Sequence, residues 1–208
     1  MRTSAAQSAS RHATTKVALF TILWVGLAAA LLASAGTGQL AIPPSEVLGS
    51  LLHRIGLDWL PLPAHPAGDQ TLWAIRFPRV VSAALVGAGL AVSGLLMQAI
   101  FGNPLAEPGV IGVSSGAAVG AGLSIVFGLT VFSEWTTAIF AFIAGLGATL
   151  LVYFMSRAEG KTEVVTLVLT GIAVNAIAGA AIALLTFLGD TQSREQIVFW
   201  QLGSFSGS

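Results

Sequence analysis

The 208-residue sequence has no cysteine and very little charge. Without cysteine there are no disulfides, thiolate metal sites, cysteine nucleophiles or iron–sulfur clusters. Charged residues are 9% of the chain, against about 25% in a soluble domain, which excludes an ordinary water-soluble globule. Nine Lys and Arg balance nine Asp and Glu, so no basic excess remains to wrap nucleic acid. The abundant part is apolar: 55% of residues are hydrophobic and the mean hydropathy is +0.85. High hydrophobicity with low charge is the reverse of a disordered composition. The solvent for most of this chain is lipid.

A bilayer core about 30 Å thick takes about 20 apolar residues in a helix. Charge-free runs of that kind are Val17–Ala35, Val80–Phe101, Gly109–Phe132, Ala138–Met155 and Val164–Leu188. A sixth begins near Gln196 or Ile197 and is cut off at Ser208. The runs are continuous, with no period-2 alternation, so helices are expected rather than barrel strands. The predicted fold is an all-α polytopic bundle of five full transmembrane helices plus the start of a sixth. Residues 1–16 form a cytoplasmic tail, and residues 17–208 form one transmembrane domain with an outer loop at 36–77. Val17–Ala35 follows Arg2, Arg11 and Lys16 as a signal peptide would, but it is longer than the usual apolar core of one and further spans follow. With the N-terminus inside, Arg2, Arg11, Lys16, Arg157 and Lys161 lie in the cytoplasm and Arg54, Arg76, Arg79 and Arg194 outside. The positive-inside rule favours this orientation. The outer loop carries Pro43, Pro44, Pro61, Pro63 and Pro66; one short amphipathic helix is expected near Ser45–Ile55, with Ser45 as its cap.

Glycine is frequent, 24 residues, and its spacing matters more than its number. Gly112, Gly116, Gly120, Ser124 and Gly128 recur every four residues, as do Gly171, Asn175, Gly179 and Ala183. Shorter rows, Gly87, Ala91, Leu95 and Gly89, Ser93, Met97, mark the second span. Such rows let backbones approach closely where lipid gives no hydrophobic drive. Gln98 and Asn175 are the strongest polar groups at membrane depth. Each either bonds to a neighbouring helix or lines a watery path.

The most informative string is Asn103-Pro104-Leu105-Ala106-Glu107-Pro108-Gly109. Its two prolines stop one helix and prepare the next, Pro108 suits a first helical turn, and Glu107 suits a helix N-terminus. It stands in a fixed order with Arg76-Phe77-Pro78-Arg79, Gly87–Gly94, Gln98, Gly112-Val113-Ser114-Ser115-Gly116-Ala117, Leu169–Asn175 and Phe199–Ser204. From about Leu72 to the end this resembles the permease family of ABC importers for iron–siderophore complexes, haem and vitamin B12.

The resemblance implies a bacterial cytoplasmic-membrane protein of about ten spans. It also implies several partners: a second permease subunit, identical or not, two cytoplasmic ATP-binding subunits and an extracytoplasmic substrate-binding protein. No cofactor is expected on the chain itself, and ATP is used by the partner. The sequence has no G-x-x-x-x-G-K-[ST] string, in keeping with a subunit that is not itself an enzyme. Arg76 and Arg79 correspond to family arginines that face acidic residues of the docked binding protein; pairing with lipid phosphate is the plainer reading. The fifth span is expected along the translocation path, with Gly171 and Asn175 on it. Thr162, Val164 and Val165 stand at the cytoplasmic gate, although Thr162 as a helix cap explains the position equally well. Gln98, Asn103, Pro104, Glu107, Pro108, Gly112, Ser114, Ser115 and Gly116 make up the shared structural motif. The expected cargo is a ferric siderophore, then haem, then vitamin B12. A form this short is expected not to transport by itself.

Other classes fit less well. An intramembrane enzyme needs catalytic groups at depth, and no span holds a His or Asp. An ion-coupled carrier needs buried carboxylates, and the spans carry none. A fragment that retains helix packing without transport is a further alternative. His53 and His65 in the outer loop and His12 in the tail read as solvated rather than as ligands.

Overall fold

A computed structural model describes residues 2–158 and 161–205, with side chains at 14–157 and 163–205. The fold is helical, as the composition predicts. Among the described residues, four helices are long and apolar enough to cross a membrane: Thr14–Gly36, Gly68–Phe101, Ser133–Met155 and Val164–Leu188. Close contacts divide the chain into two compact units, one up to Leu85 and one from Val86 onward.

The first unit begins with α1 (Arg2–Gly36), which runs without a break through the expected tail into the first apolar run. The loop after it folds back: the Ile42 N–H donates to the Gly36 carbonyl at 3.0 Å. Helix α2 (Pro44–His53) lies where the proline-rich loop was expected to hold one. Its cap is Pro43 rather than Ser45, with Pro44 at the first helical position. Proline suits that place because it has no N–H to leave unpaired. A short helix α3 (Gly68–Thr71), a π-helical turn at Leu72–Arg76 and α4 (Phe77–Phe101) then follow end to end. The second span therefore starts well before Val80 and the outer loop ends before 77, and Arg76 and Arg79 lie at the N-terminal end of this helix, as expected. Pro78 would clash with an α-helical carbonyl four residues earlier and offers it no donor; the wider turn just before it accommodates both defects. Ala35, Ile42, Val47 and Leu72 form the buried core of this unit.

The second unit departs from expectation in two places. The expected run Gly109–Phe132 is instead a 3-10 turn at Pro108–Ile111 and a 14-residue helix, α5 (Val113–Val126). At 1.5 Å per residue, α5 reaches about 21 Å and does not cross a bilayer alone. It is bounded by Gly112 and Gly128, both in the left-handed region (φ +81° and +57°). The expected sixth span is α8 (Thr191–Leu202), which starts five residues earlier than predicted and carries Arg194 and Glu195. Between these lie α6 (Thr136–Met155), a hairpin of β1 (Arg157–Ala158) with β2 (Lys161–Thr162), and α7 (Val164–Leu188). The α7 bounds match the charge-free run.

Helices α5 and α6 meet through missing side chains. A Cβ on Gly116 would stand 2.8 Å from the Ala144 carbonyl oxygen, and one on Gly145 would stand 2.9 Å from that of Val113. Gly120 lies closer still, against the Phe140 carbonyl. Ser124 and Thr137 hydroxyls bond across the same seam at 2.9 Å. The row read on the third span is thus a packing face from Gly112 to Ser124, while Gly128 is exposed. The glycines of the second-span rows behave differently: Gly87 and Gly89 have open space around them.

Candidate functional site: a loop seated on α7 and an arginine cavity

The proline-flanked segment is built from local hydrogen bonds and then fixed to α7. Asn103 Oδ1 accepts the Leu105 N–H at 2.9 Å, which closes an Asx turn over Pro104. The Asn103 N–H donates to the Gln98 carbonyl at 3.2 Å, ending α4. Glu107 is extended and exposed, and Pro108 opens the 3-10 turn. Gly112 then takes a left-handed conformation that a side chain rarely adopts, turning the chain into α5.

The seat on α7 is Gly171 and Asn175. Gly171 is buried, and any Cβ there would overlap the Val110 carbonyl. One turn on, Asn175 Nδ2 donates to the Gly109 carbonyl at 3.2 Å. Ser115 Oγ lies 2.6 Å from Asn175 Oδ1 and 3.1 Å from the Gly112 carbonyl. The structure thus brings Pro108, Gly112, Ser115 and Gly116 together with Gly171 and Asn175. Asn175 is occupied by a hydrogen-bond network between segments, the first of the two roles open to it. Ser114 points away and is exposed, as are Asn103, Pro104 and Glu107. Gln98 is half-buried. Gly179 is exposed with open space around it, so Gly171–Ala183 is not one packing face.

At the other end of α7, Val164 and Val165 are exposed in the first turn. The helix cap is Glu163, not Thr162, and the Thr166 hydroxyl donates to the Glu163 carboxylate at 3.1 Å. The side chain of Thr162 lies outside the described residues. Arg157 stacks over Tyr153 at 5.6 Å beside this turn. At the far end of α7, Arg194 reaches back to the Thr186 and Gly189 carbonyls at 3.0 and 2.9 Å. A cation there complements the negative end of the helix. Asp190 caps α8 by accepting the Ser193 N–H at 2.8 Å.

The two arginines of the first unit part company. Arg76 is 8% exposed and donates to the Ala35 carbonyl at 2.7 Å and to the Leu40 carbonyl. It ties the end of α1 to the returning loop. Arg79 is exposed. Both line a cavity of about 710 Å³ with Ser34, Thr37, Gln39 and Thr71. Nearby, Ser50 is buried and bonded to Asp69, and it accepts from Trp73 Nε1 at 2.9 Å. Arg54 lies over the Trp73 ring at 4.5 Å, and Phe77 meets that ring edge-on at 4.9 Å. The polar anchor of this tryptophan was not read from the sequence; the signal was Ser50, a polar residue of α2 that is buried. His53 pairs with Asp58, and no metal-binding cluster occurs among the described residues.

The long apolar helices, with a proline-flanked loop anchored on α7, define a polytopic helical membrane protein. The chain belongs to the FecCD transport family, which matches residues 26–208. It is 38% identical over 144 residues to the molybdate import system permease protein MolB of Haemophilus influenzae, covering 69% of this chain and 42% of that one. It is 43% identical over 133 residues to the hemin transport system permease protein HmuU of Yersinia pestis, covering 62% and 40%. The vitamin B12 import system permease protein BtuC of Escherichia coli is 35% identical over 178 residues, covering 86% and 49%. A solved structure described as an inward-facing metal-chelate type ABC transporter superposes with a TM-score of 0.71 at 32% identity, covering 93% of this chain and 55% of that one. The chain spans about half the length of the relatives it matches.

Proposed function

We propose that the protein is a transmembrane permease subunit of a binding-protein-dependent ABC importer in the bacterial cytoplasmic membrane. Its N-terminus faces the cytoplasm. The observation that carries this is the family match over residues 26–208, which includes the loop seated on α7. Partner subunits bind and hydrolyse ATP, a second permease subunit completes the path, and an extracytoplasmic binding protein delivers cargo. Arg79, exposed in the first turn of α4, is the docking residue of choice. Arg76 contributes positive charge while holding the loop. The gate lies at the Val164–Val165 end of α7.

The cargo we favour is an iron chelate, a ferric siderophore or haem. The hemin permease among the relatives supports the haem reading, and vitamin B12 ranks behind. Few fixed charges line the helices, which suits a metal already wrapped in an organic shell. Capture tests this. The tagged protein in detergent is offered candidate binding proteins loaded with ferric siderophore, haem or cobalamin, and separately the candidate ATPase subunits. Retention of one loaded binding protein, weakened by Arg79→Glu at low salt, supports the reading. Retention of no binding protein and no ATPase overturns it.

A further inference from the structure

Helix α2 is turned the wrong way for a loop in water. Glu46, Ser50 and His53, spaced four and three apart, share one side of it, and each has a partner in the segment that follows. The Glu46 carboxylate accepts the Ala64 N–H at 3.2 Å, Ser50 bonds to Asp69 and accepts from Trp73 Nε1 at 2.9 Å, and His53 pairs with Asp58. At about 100° per residue, Leu48 and Leu51 stand nearly opposite that side. Ile55 continues their row in the turn after the helix, where its N–H donates to the Leu52 carbonyl at 3.0 Å. Leu48, Leu51 and Ile55 are 36%, 38% and 71% exposed. The helix cannot roll to hide them: Val47 is fully buried, and a Cβ on Gly49 would overlap the Pro61 carbonyl. The polar side therefore meets protein and the apolar side meets the surroundings, the reverse of an amphipathic helix packed on a core in water.

Depth and charge identify those surroundings. The apolar stretch Thr14–Gly36 has 23 residues, about 34 Å of helix against a hydrocarbon core of about 30 Å. Its end is therefore at headgroup level, and α2 is tied to that end. The Ile42 N–H bonds to the Gly36 carbonyl at 3.0 Å, and a Cβ on Gly36 would stand 4.0 Å from Val47 Cγ2. Near the boundary of headgroups and acyl chains, an apolar helix face is buried by lipid. Charge does not interrupt the row: Arg54 is drawn over Trp73 at 4.5 Å and His53 to Asp58. Trp59, exposed in the loop just beyond, is a residue type that favours this level. A protein interface surrounds its apolar core with a hydrogen-bonding rim, and the side chains of Leu48, Leu51 and Ile55 offer neither charge nor donor.

We propose that α2 lies in the membrane interface, with Leu48, Leu51 and Ile55 inserted among the lipids of the leaflet next to the end of α1. The assignment goes beyond the transport reading and does not depend on cargo, ATPase or binding protein. The chain has no cysteine, so one introduced thiol carries the only label. Ile55→Cys, Leu51→Cys and Ala64→Cys are each spin-labelled in the full chain and reconstituted into vesicles of phosphatidylcholine and phosphatidylglycerol. Collisions of the label with oxygen, which concentrates in lipid, are compared with those of a water-soluble nickel chelate. The oxygen-to-nickel ratio at Leu51 and Ile55 is expected to be several-fold above that at Ala64, which lies on the polar side of α2. Ile55 is outside the core, so its variant keeps the fold and carries the test alone if Leu51→Cys does not fold. Dominance of nickel at the apolar row would place it in water and overturn the proposal, as would equal ratios at all three positions. Exclusion of both agents from the row overturns it too, because protein would then be the cover. Because no transport partner is present, this result stands or falls separately from the capture experiment.

Discussion

The two units share glycine seats but differ in how far they lean on long polar side chains. Around the first loop, irregular backbone is tied down by polar side chains: Arg76 to two carbonyls, Ser50 to Asp69 and Trp73, and the Glu46 carboxylate to the Ala64 N–H at 3.2 Å. The closest approaches fall at glycine in both units, at Gly49 against the Pro61 carbonyl in the first and at Gly116, Gly120, Gly145 and Gly171 in the second, where they join helix to helix or to the loop before α5. The difference follows from the solvent. Near a headgroup, water and phosphate keep charged groups affordable, so long side chains can reach across a loop. At hydrocarbon depth a charge is costly and lipid gives no hydrophobic drive, so close van der Waals contact between backbones is the available glue.

The sharpest way to break this contrast is to add side chains where none fit. Gly171→Val drives two methyl groups into the Val110 carbonyl and should destabilise the protein by about 3 kcal/mol. Gly120→Val meets the Phe140 backbone in the same way. Gly179→Val has open space and should stay within about 0.5 kcal/mol of the parent. Unfolding midpoints in mixed micelles compare the three. Equal losses at Gly171 and Gly179 would show that the spacing, and not the close approach, sets stability.

That pair also shows where the sequence could be read and where it could not. A spacing of four advances about 40° around a helix at each step. Gly171 and Gly179 therefore diverge by about 80°, and only the first reaches a neighbour. The α7 bounds were legible because Glu163 and Asp190 bracket a charge-free run, and both are helix caps. The α5 bounds were not: Gly112 and Gly128 break the helix through left-handed backbone, to which hydropathy is blind. The Arg76 charge marked the outer end of the second span, but its partners, the carbonyls 36 and 41 residues upstream, were not legible. The proline-flanked motif was legible as a motif, but its seat on α7 joins residues 60 to 66 positions apart, which no local pattern encodes.

Polar ties should cost less to cut than glycine seats cost to fill. Arg76→Met strands the Ala35 and Leu40 carbonyls, and a loss of about 2 kcal/mol is expected. It should come with faster proteolysis between Gly36 and Pro43, while cleavage around the α5–α6 seam stays unchanged. Uniform loosening of both units would contradict the division. In the second unit, Ser115→Ala and Asn175→Leu share one network, so their effects should not add. A double-mutant cycle should give a coupling of about 1 kcal/mol; strict additivity would mean that Asn175 serves another role.

The smallest effect lies at the α7–α8 junction, which uses the first unit's polar device within the second. The Ser193 backbone N–H and then its side chain hold the Asp190 carboxyl below the ordinary aspartate range; partial desolvation opposes them, and the Arg194 charge adds the least. A carboxylate with a lowered folded-state pKa favours the capped helix above its unfolded pKa, and that preference fades as pH falls through the lower folded value. Start-of-helix fraying of α8 should therefore increase only in acid, below the usual aspartate pKa of about 3.9. Asp190→Asn can still accept the Ser193 N–H but does not titrate in this range, so it should remove the pH dependence while keeping much of the helix. Asp190→Ala should fray the first turn at neutral pH. Hydrogen exchange at Ser193 and Arg194, followed against pH in the three proteins, reads the difference directly. An acid transition that persists in Asp190→Asn would assign it to a different carboxylate and leave the α8 cap without an electrostatic part.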